Sequence, residues 1–225
     1  MNFFQKVWLI VWKDLVIELR TKEMLSAMFI FSLLVVIIFN FAFDPGMSYI
    51  KDVAPGILWV AITFAGTLGL NRSFINEQEN GCLYGLMLAP IDRGAIYLGK
   101  FLGNLLFMLL IEIFLFPIFV VFFNLSVLQS LPLLLLIAFL ATVGFAAVGT
   151  LLAGMAANTK TREILLPILF FPLVVPVIIA AVKSTGRVLN GDPMDQLAGW
   201  LQLLAAFDII FLVVCFLTFE YVIEE

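Results

Sequence analysis

Six stretches of this sequence are long and apolar enough to cross a lipid bilayer, and nothing else in the chain limits its fold so strongly. They fall at about 24–43, 53–71, 101–123, 131–156, 163–183 and 200–220. A helix rises about 1.5 Å per residue and a hydrocarbon core is roughly 30 Å thick, so about 20 apolar residues make one crossing. The breaks between stretches are short, apart from one at 72–100. Of the 225 residues, 64% are hydrophobic and 12% charged. A soluble domain hides at most roughly 70–75% of its chain surface, so lipid must solvate the remaining apolar surface. The expected fold class is all-α: a polytopic membrane protein of six transmembrane helices in a single domain over 1–225.

Several kinds of chemistry are excluded early. The chain has no histidine, which removes His-based metal sites, Ser-His catalysis and His ligation of haem. Cys82 and Cys215 lie far apart with no CxxC pairing, so neither a disulfide framework nor a metal site is expected. The segment Gly94 to Lys100 has the spacing of a phosphate-binding loop, but Phe101 stands where a serine or threonine should hold magnesium. No strand precedes it and a span follows, so the required context fails. No catalytic residue is expected, and the −4 net charge comes with no basic nucleic-acid-binding surface.

Residues 1–22 form a different kind of helix. Phe4, Trp8, Val11, Leu15 and Leu19 make one apolar stripe, while Lys6, Lys13 and Arg20 recur on roughly the opposite side. Such a helix is expected to lie in the interface, aromatic face in lipid and cations toward head-groups. The interrupting Lys6, Lys13 and Asp14, with no small-residue cleavage site after them, argue against a secretory signal.

Six spans put both termini on one side. If that side is cytoplasmic, its segments hold nine cations: Lys6, Lys13, Arg20, Lys22, Arg72, Arg93, Lys100, Lys160 and Arg162. Lys51, Lys183 and Arg187 are the three left outside. The positive-inside rule then places the termini and the 72–100 loop in the cytoplasm.

Span four carries Ala141, Gly144, Ala146, Gly149 and Ala153, small residues that let helix backbones approach closely. Pro167, Pro172 and Pro176 mark span five as a bent helix. Glu112 and Asp208 are carboxylates within spans, with no cation expected at their depth. A charge there costs at least about 2.5–3.5 kcal/mol. The two are read as protonated, as facing a polar cavity or as meeting a partner subunit's cation, or else as neutral carboxyls hydrogen-bonded near Asn104 or to a backbone carbonyl. In the 72–100 loop, Glu77 and Glu79 precede Leu83, Leu86, Met87 and Leu88, spaced on one helical face and ended by Pro90. A short amphipathic helix there suits docking to a peripheral partner or resting on the membrane.

At these residues the chain resembles a known family, the B-subunit permeases of cytochrome c maturation (CcmB, or haem exporter protein B), which belong among the ABC-2-like transporter permeases. The resemblance is carried by Ala54, Pro55, Gly56, Ile57 and Trp59 at the start of span two. It continues through Arg72, Phe74, Asn80, Gly81, Leu83, Leu86 to Leu88, Pro90 and Lys100, then Thr142 to Phe145 and Pro172 to Pro176. It covers essentially the whole chain, and Glu112 and Asp208 are not part of it.

The resemblance implies an ABC-2-type permease domain that pairs with a separate cytoplasmic ATPase. It implies further partners: a haem-handling membrane subunit, a small accessory protein, a haem chaperone and a second permease copy. ATP would be bound by the partner, no cofactor by this chain, and haem would be either the transported substrate or the load of the released chaperone. By position, Glu77, Glu79, Gly81, Leu83, Leu86, Met87 and Pro90 correspond to the coupling helix that meets the ATPase, and Lys160 and Arg162 to a second contact. The expected location is a bacterial inner membrane, ahead of a plant-type mitochondrial one. The alternatives are an ABC-2 exporter of lipid, drug or polysaccharide, and a membrane scaffold that transports nothing.

Overall fold

A computed structural model describes residues 2–43, 49–79, 92–157 and 162–222, except for the side chains of 75–79, 162–163 and 222. Among the described residues there are seven helices and no strand: α1 (Phe3–Thr21), α2 (Glu23–Ala42), α3 (Ile50–Glu79), α4 (Arg93–Phe122), α5 (Leu131–Ala157), α6 (Arg162–Asn190) and α7 (Met194–Val222). Six of them, α2 to α7, are long and apolar enough to cross a membrane. The all-α, six-span fold class read from the sequence is the one observed.

The joint between α1 and α2 is a single residue. Lys22 adopts the left-handed conformation (φ 56°) and is both the end of α1 and the start of α2. Its N–H donates to the Glu18 carbonyl at 2.7 Å. The Glu18 carboxylate, itself buried, accepts from the Leu25 N–H at 2.8 Å. An otherwise unpaired first-turn donor of α2 is thereby satisfied, and a negative charge sits at the positive end of that helix.

The expected apolar stripe of α1 divides between two environments. Phe4, Trp8 and Leu19 are exposed, and Trp12 joins them. Val11, together with Val7 and Ile10, is buried where α1 packs on α4. Gly99 of α4 permits this approach, because a Cβ there would fall 2.7 Å from the Ile10 Cβ. Helical periodicity marks apolar faces but does not say which apolar residue meets protein and which meets lipid.

The break expected at 72–100 is shorter in the structure. Helix α3 runs on through Glu79 and α4 begins at Arg93. With 30 residues, α3 is about 45 Å long, more than the hydrocarbon thickness, so its polar last turns extend past the apolar span that ends at Phe74. Polarity had suggested a loop, but nothing between 72 and 79 breaks a helix. The Gly94–Lys100 segment lies inside α4, as a helix rather than a phosphate loop.

Helix α5 is the hub, packing on α3, α4, α6 and α7. Its small residues are packing seats: Gly149 receives Leu70 of α3, and Gly154 receives Phe219 of α7 and Phe74 of α3. Helix α6 continues through Pro167, Pro172 and Pro176. Outward-facing Ile30, Leu34 and Ile38 on α2, and Ile209, Val213 and Leu217 on α7, remain exposed, as lipid-facing side chains should.

The helices alternate in direction, which gives the bundle two distinct ends. At one end Arg72 meets Glu23 at 3.7 Å, and the Arg93 guanidinium donates to the Glu220 carbonyl at 3.2 Å. At the other, Asn40 donates to the Phe122 carbonyl at 2.7 Å, and Asn190 donates to Asp52 at 2.9 Å. Helix α1 and the end of α7 share the first end.

Candidate functional site

The motif at the start of span two forms a seam between α3 and the last turns of α6. Asp52 accepts from Asn190 at 2.9 Å. One turn on, Pro55 lies over Gly186, whose missing side chain would come within 3.6 Å of the proline ring. A further turn on, the Trp59 indole N–H donates to the Thr185 hydroxyl at 3.0 Å. Ala54 and Trp59 are buried, whereas a Cβ on Gly56 would meet nothing within 4 Å. Pro55 sits in the second turn of α3, where its missing N–H forgoes only one helix bond.

Beside this seam lies a cavity of about 480 Å3 walled by α3, α4, α5 and α6. Leu58, Trp59 and Ile62 form one side, with Leu115 and Leu134 opposite, and Glu112 is the one charged residue among the described residues that line it. Glu112 is buried, and one carboxyl oxygen accepts from the Thr142 hydroxyl of α5 at 2.5 Å. The other oxygen has no hydrogen-bond partner among the described residues. Asn104, one of the two hydrogen-bonding options read from the sequence, instead donates to Thr150 at 3.0 Å. It lies two turns from Glu112 along α4, so each residue finds its own hydroxyl on α5.

Asp208 is on the far side of α5 from Glu112. Its Oδ1 lies where a Cβ on Gly144 would come within 2.6 Å, and neither of its oxygens makes a hydrogen bond of ordinary geometry. The two carboxyls therefore occupy separate environments: Glu112 faces a cavity and Asp208 is pressed against a glycine.

A third polar feature was missed in the sequence. Lys100 is 1% exposed; its Nζ donates to Asp14 Oδ2 at 2.9 Å and stands 5.5 Å from the centre of the Phe74 ring. The pair ties α1 to α4 with α3 alongside. A lysine counted as a flanking interfacial charge is thus enclosed by protein. The signal available was Asp14 itself, an acid one turn before Glu18 on a face apart from the basic Lys6, Lys13 and Arg20.

The predicted coupling residues Gly81, Leu83, Leu86, Met87 and Pro90, with Lys160, lie outside the described residues. Glu77 and Glu79 belong to the last turn of α3, and Arg162 opens α6. Among the described residues no group of three or more His, Cys, Asp or Glu side chains could hold a metal ion.

A family model described as CcmB protein matches residues 5–224. The chain belongs to the CcmB family. Among its relatives are three bacterial proteins named heme exporter protein B. The one from Pseudomonas aeruginosa is 29% identical over 177 residues, 79% of each chain. That from Rhodobacter capsulatus is 30% identical over 191 residues, 83% of this chain and 87% of the relative. The Escherichia coli protein is 28% identical over 221 residues, 88% and 89% of the two chains. Membership of the CcmB family and a six-helix apolar bundle identify a multi-pass membrane protein of the transport-permease kind. In this CcmB-family chain, Pro55 and Trp59 hold α3 to α6, Ala54 is buried, and Gly56 faces open space.

Proposed function

We propose that this chain is the transmembrane permease subunit of an ABC complex in c-type cytochrome biogenesis. It would couple a partner's ATP hydrolysis to haem export or to release of a haem-loaded chaperone. The observation that carries this reading is the common exit of both predicted contact segments. Residues 80–91 join α3 to α4, and 158–161 join α5 to α6. The described helix ends on either side of both segments lie at the end shared by α1 and the end of α7. Lys6, Lys13, Arg20, Lys22, Arg72, Arg93, Lys100 and Arg162 fall toward this end among the described residues, and the positive-inside rule supports reading it as cytoplasmic in a bacterial inner membrane.

In this reading the 77–90 segment, with Lys160 and Arg162, meets a cytoplasmic ATPase. The polar end of α3, projecting past the span, supports the segment. Closure of the ATPase would push on α3 and α4 together, and those two helices pack on α5 and on each other. Motion would therefore pass to the hub as a rigid-body rocking of packed helices. Six spans make one half of such a transporter, so a second copy is the expected pair. The haem-handling subunit, accessory protein and chaperone belong to the same assembly. ATP stays on the ATPase, and haem is cargo rather than a resident cofactor; with no histidine in the chain, Met or Tyr would have to serve as axial ligand for tight haem binding.

The test is purification of a tagged chain from its native membranes. An ATPase subunit should co-purify in stoichiometric amount and be lost on Leu86→Asp, which puts a charge on the apolar face of the coupling segment. Retention of the ATPase by that variant would sink the coupling assignment.

A further inference from the structure

We infer that the cavity beside Glu112 binds a single-chain membrane amphiphile whose polar end is an uncharged or cationic hydrogen-bond donor, entering sideways from the bilayer. Three observations lead there. The cavity, at about 480 Å3, is within the size of small-molecule sites, and apart from Glu112 the side chains lining it are almost all aliphatic or aromatic. Its mouth is on the flank of the bundle, because the lining residues Ile113, Leu135 and Phe139 are exposed. Those residues point to where lipid chains lie, so an occupant can arrive without crossing water.

The third observation fixes the head of the ligand. One oxygen of Glu112 is engaged by Thr142, while the other is buried with no partner among the described residues. A buried polar atom left unpaired costs roughly 1–3 kcal/mol, more in hydrocarbon, so a ligand donor there recovers what the fold leaves unmade. Of the other polar atoms at hand, the Trp59 indole N–H is taken up by donating to the Thr185 hydroxyl. No Lys or Arg is among the described lining residues, so an anionic head-group finds no counter-charge and would face a carboxyl. That excludes a phosphate-headed lipid and fits poorly with the two carboxylates of haem. The site is thus separate from the cargo reading and stands or falls without it.

The experiment uses the full chain in phosphatidylcholine vesicles with three photoreactive diazirine probes of equal length: tetradecanol, tetradecylamine and the methyl ether of the alcohol. Labelling at Ile113, Leu135 and Phe139 is read by mass spectrometry against Leu217, an exposed residue on α7. The alcohol or the amine should label these positions about five-fold more than the ether, the advantage one net hydrogen bond confers. Glu112→Leu should erase that preference while the ether still labels. Ala138→Trp, which fills the cavity from α5, should bring all three probes down to the Leu217 level. Equal labelling by alcohol, amine and ether in the unaltered chain would overturn the assignment, as would labelling indifferent to Ala138→Trp. Displacement of the alcohol by equimolar haem would overturn it too, by giving the cavity to the cargo.

Discussion

Trp59 of α3 and Thr185 of α6 share a hydrogen bond of 3.0 Å although 126 residues separate them in the chain. It is the innermost rung of a seam that begins with Asp52 and Asn190 at the bundle end. Between these two rungs the Pro55 ring lies over Gly186, where a Cβ would sit in ordinary contact at 3.6 Å. The seam brings together a family-pattern segment and a helix whose sequence, taken alone, shows only prolines. Trp59→Phe keeps the ring and removes the donor. Within a membrane such a bond averages about 0.6 kcal/mol, so Trp59→Phe and Thr185→Val should each cost little and couple by that amount. Trp59→Ala also empties a buried site and should cost about 3–5 kcal/mol. Denaturant unfolding of the detergent-purified chain, run as a double-mutant cycle, measures both. A coupling near zero would reduce the seam to shape alone.

The Asp14–Lys100 pair predicts an asymmetry. Asp14→Asn removes the carboxylate that a lysine only 1% exposed meets at 2.9 Å, and should destabilise by about 1.5–3 kcal/mol, the range for hydrogen bonds to charged groups. Lys100→Met keeps most of the volume, and Asp14 retains Lys13 at 3.2 Å, so its effect should be smaller. Protease cleavage within α1 provides the local readout: faster in Asp14→Asn, close to the unaltered rate in Lys100→Met. The reverse order would contradict the account.

Gly99 and Gly56 predict opposite outcomes for the same change. Gly99→Ala places a methyl 2.7 Å from the Ile10 Cβ, an atom fixed to the backbone of α1, so the helices must part. Such overpacking costs about 1–3 kcal/mol. Gly56→Ala meets nothing within 4 Å and replaces a poor helix former with a good one, a gain of up to about 1 kcal/mol. Thermal unfolding of the two variants tests this, and a destabilised Gly56→Ala would mean that something outside this chain packs there.

Asp208→Asn keeps the shape against Gly144 and removes the charge. Because neither carboxyl oxygen makes a hydrogen bond of ordinary geometry among the described residues, stability should not fall, and any rise is no more than the roughly 2.5–3.5 kcal/mol that a charge costs at that depth. A stably folded Asp208→Asn that loses cytochrome maturation would instead give the carboxyl a part in the working cycle.

Hydropathy was enough to read the number and order of the spans, because in lipid the helix is the only open-chain way to pair every backbone group. The glycines and alanines of α5 were legible as packing seats for the same reason. Which apolar face meets protein was not, and Val11 shows why: the stripe of α1 is apolar whether it faces α4 or lipid. Nor was the pairing of polar groups. Asn104 and Glu112 lie on one helix, yet their partners, Thr150 and Thr142, come from another, and sequence distance carries no information about that. Lys100 looked like a flank charge because its partner lies 86 residues away. The cavity has no local signal, since four helices build it and only Glu112 among its described lining residues is unusual for its depth.

The central claim is that the chain works in c-type cytochrome biogenesis, and covalent haem staining of membrane c-type cytochromes tests it most directly. Cells lacking the gene should lose every stained band and accumulate haem on its chaperone, with both restored by a plasmid copy but not by one carrying Leu86→Asp. Normal bands in the deletion strain would contradict the claim and point to export of a different substrate.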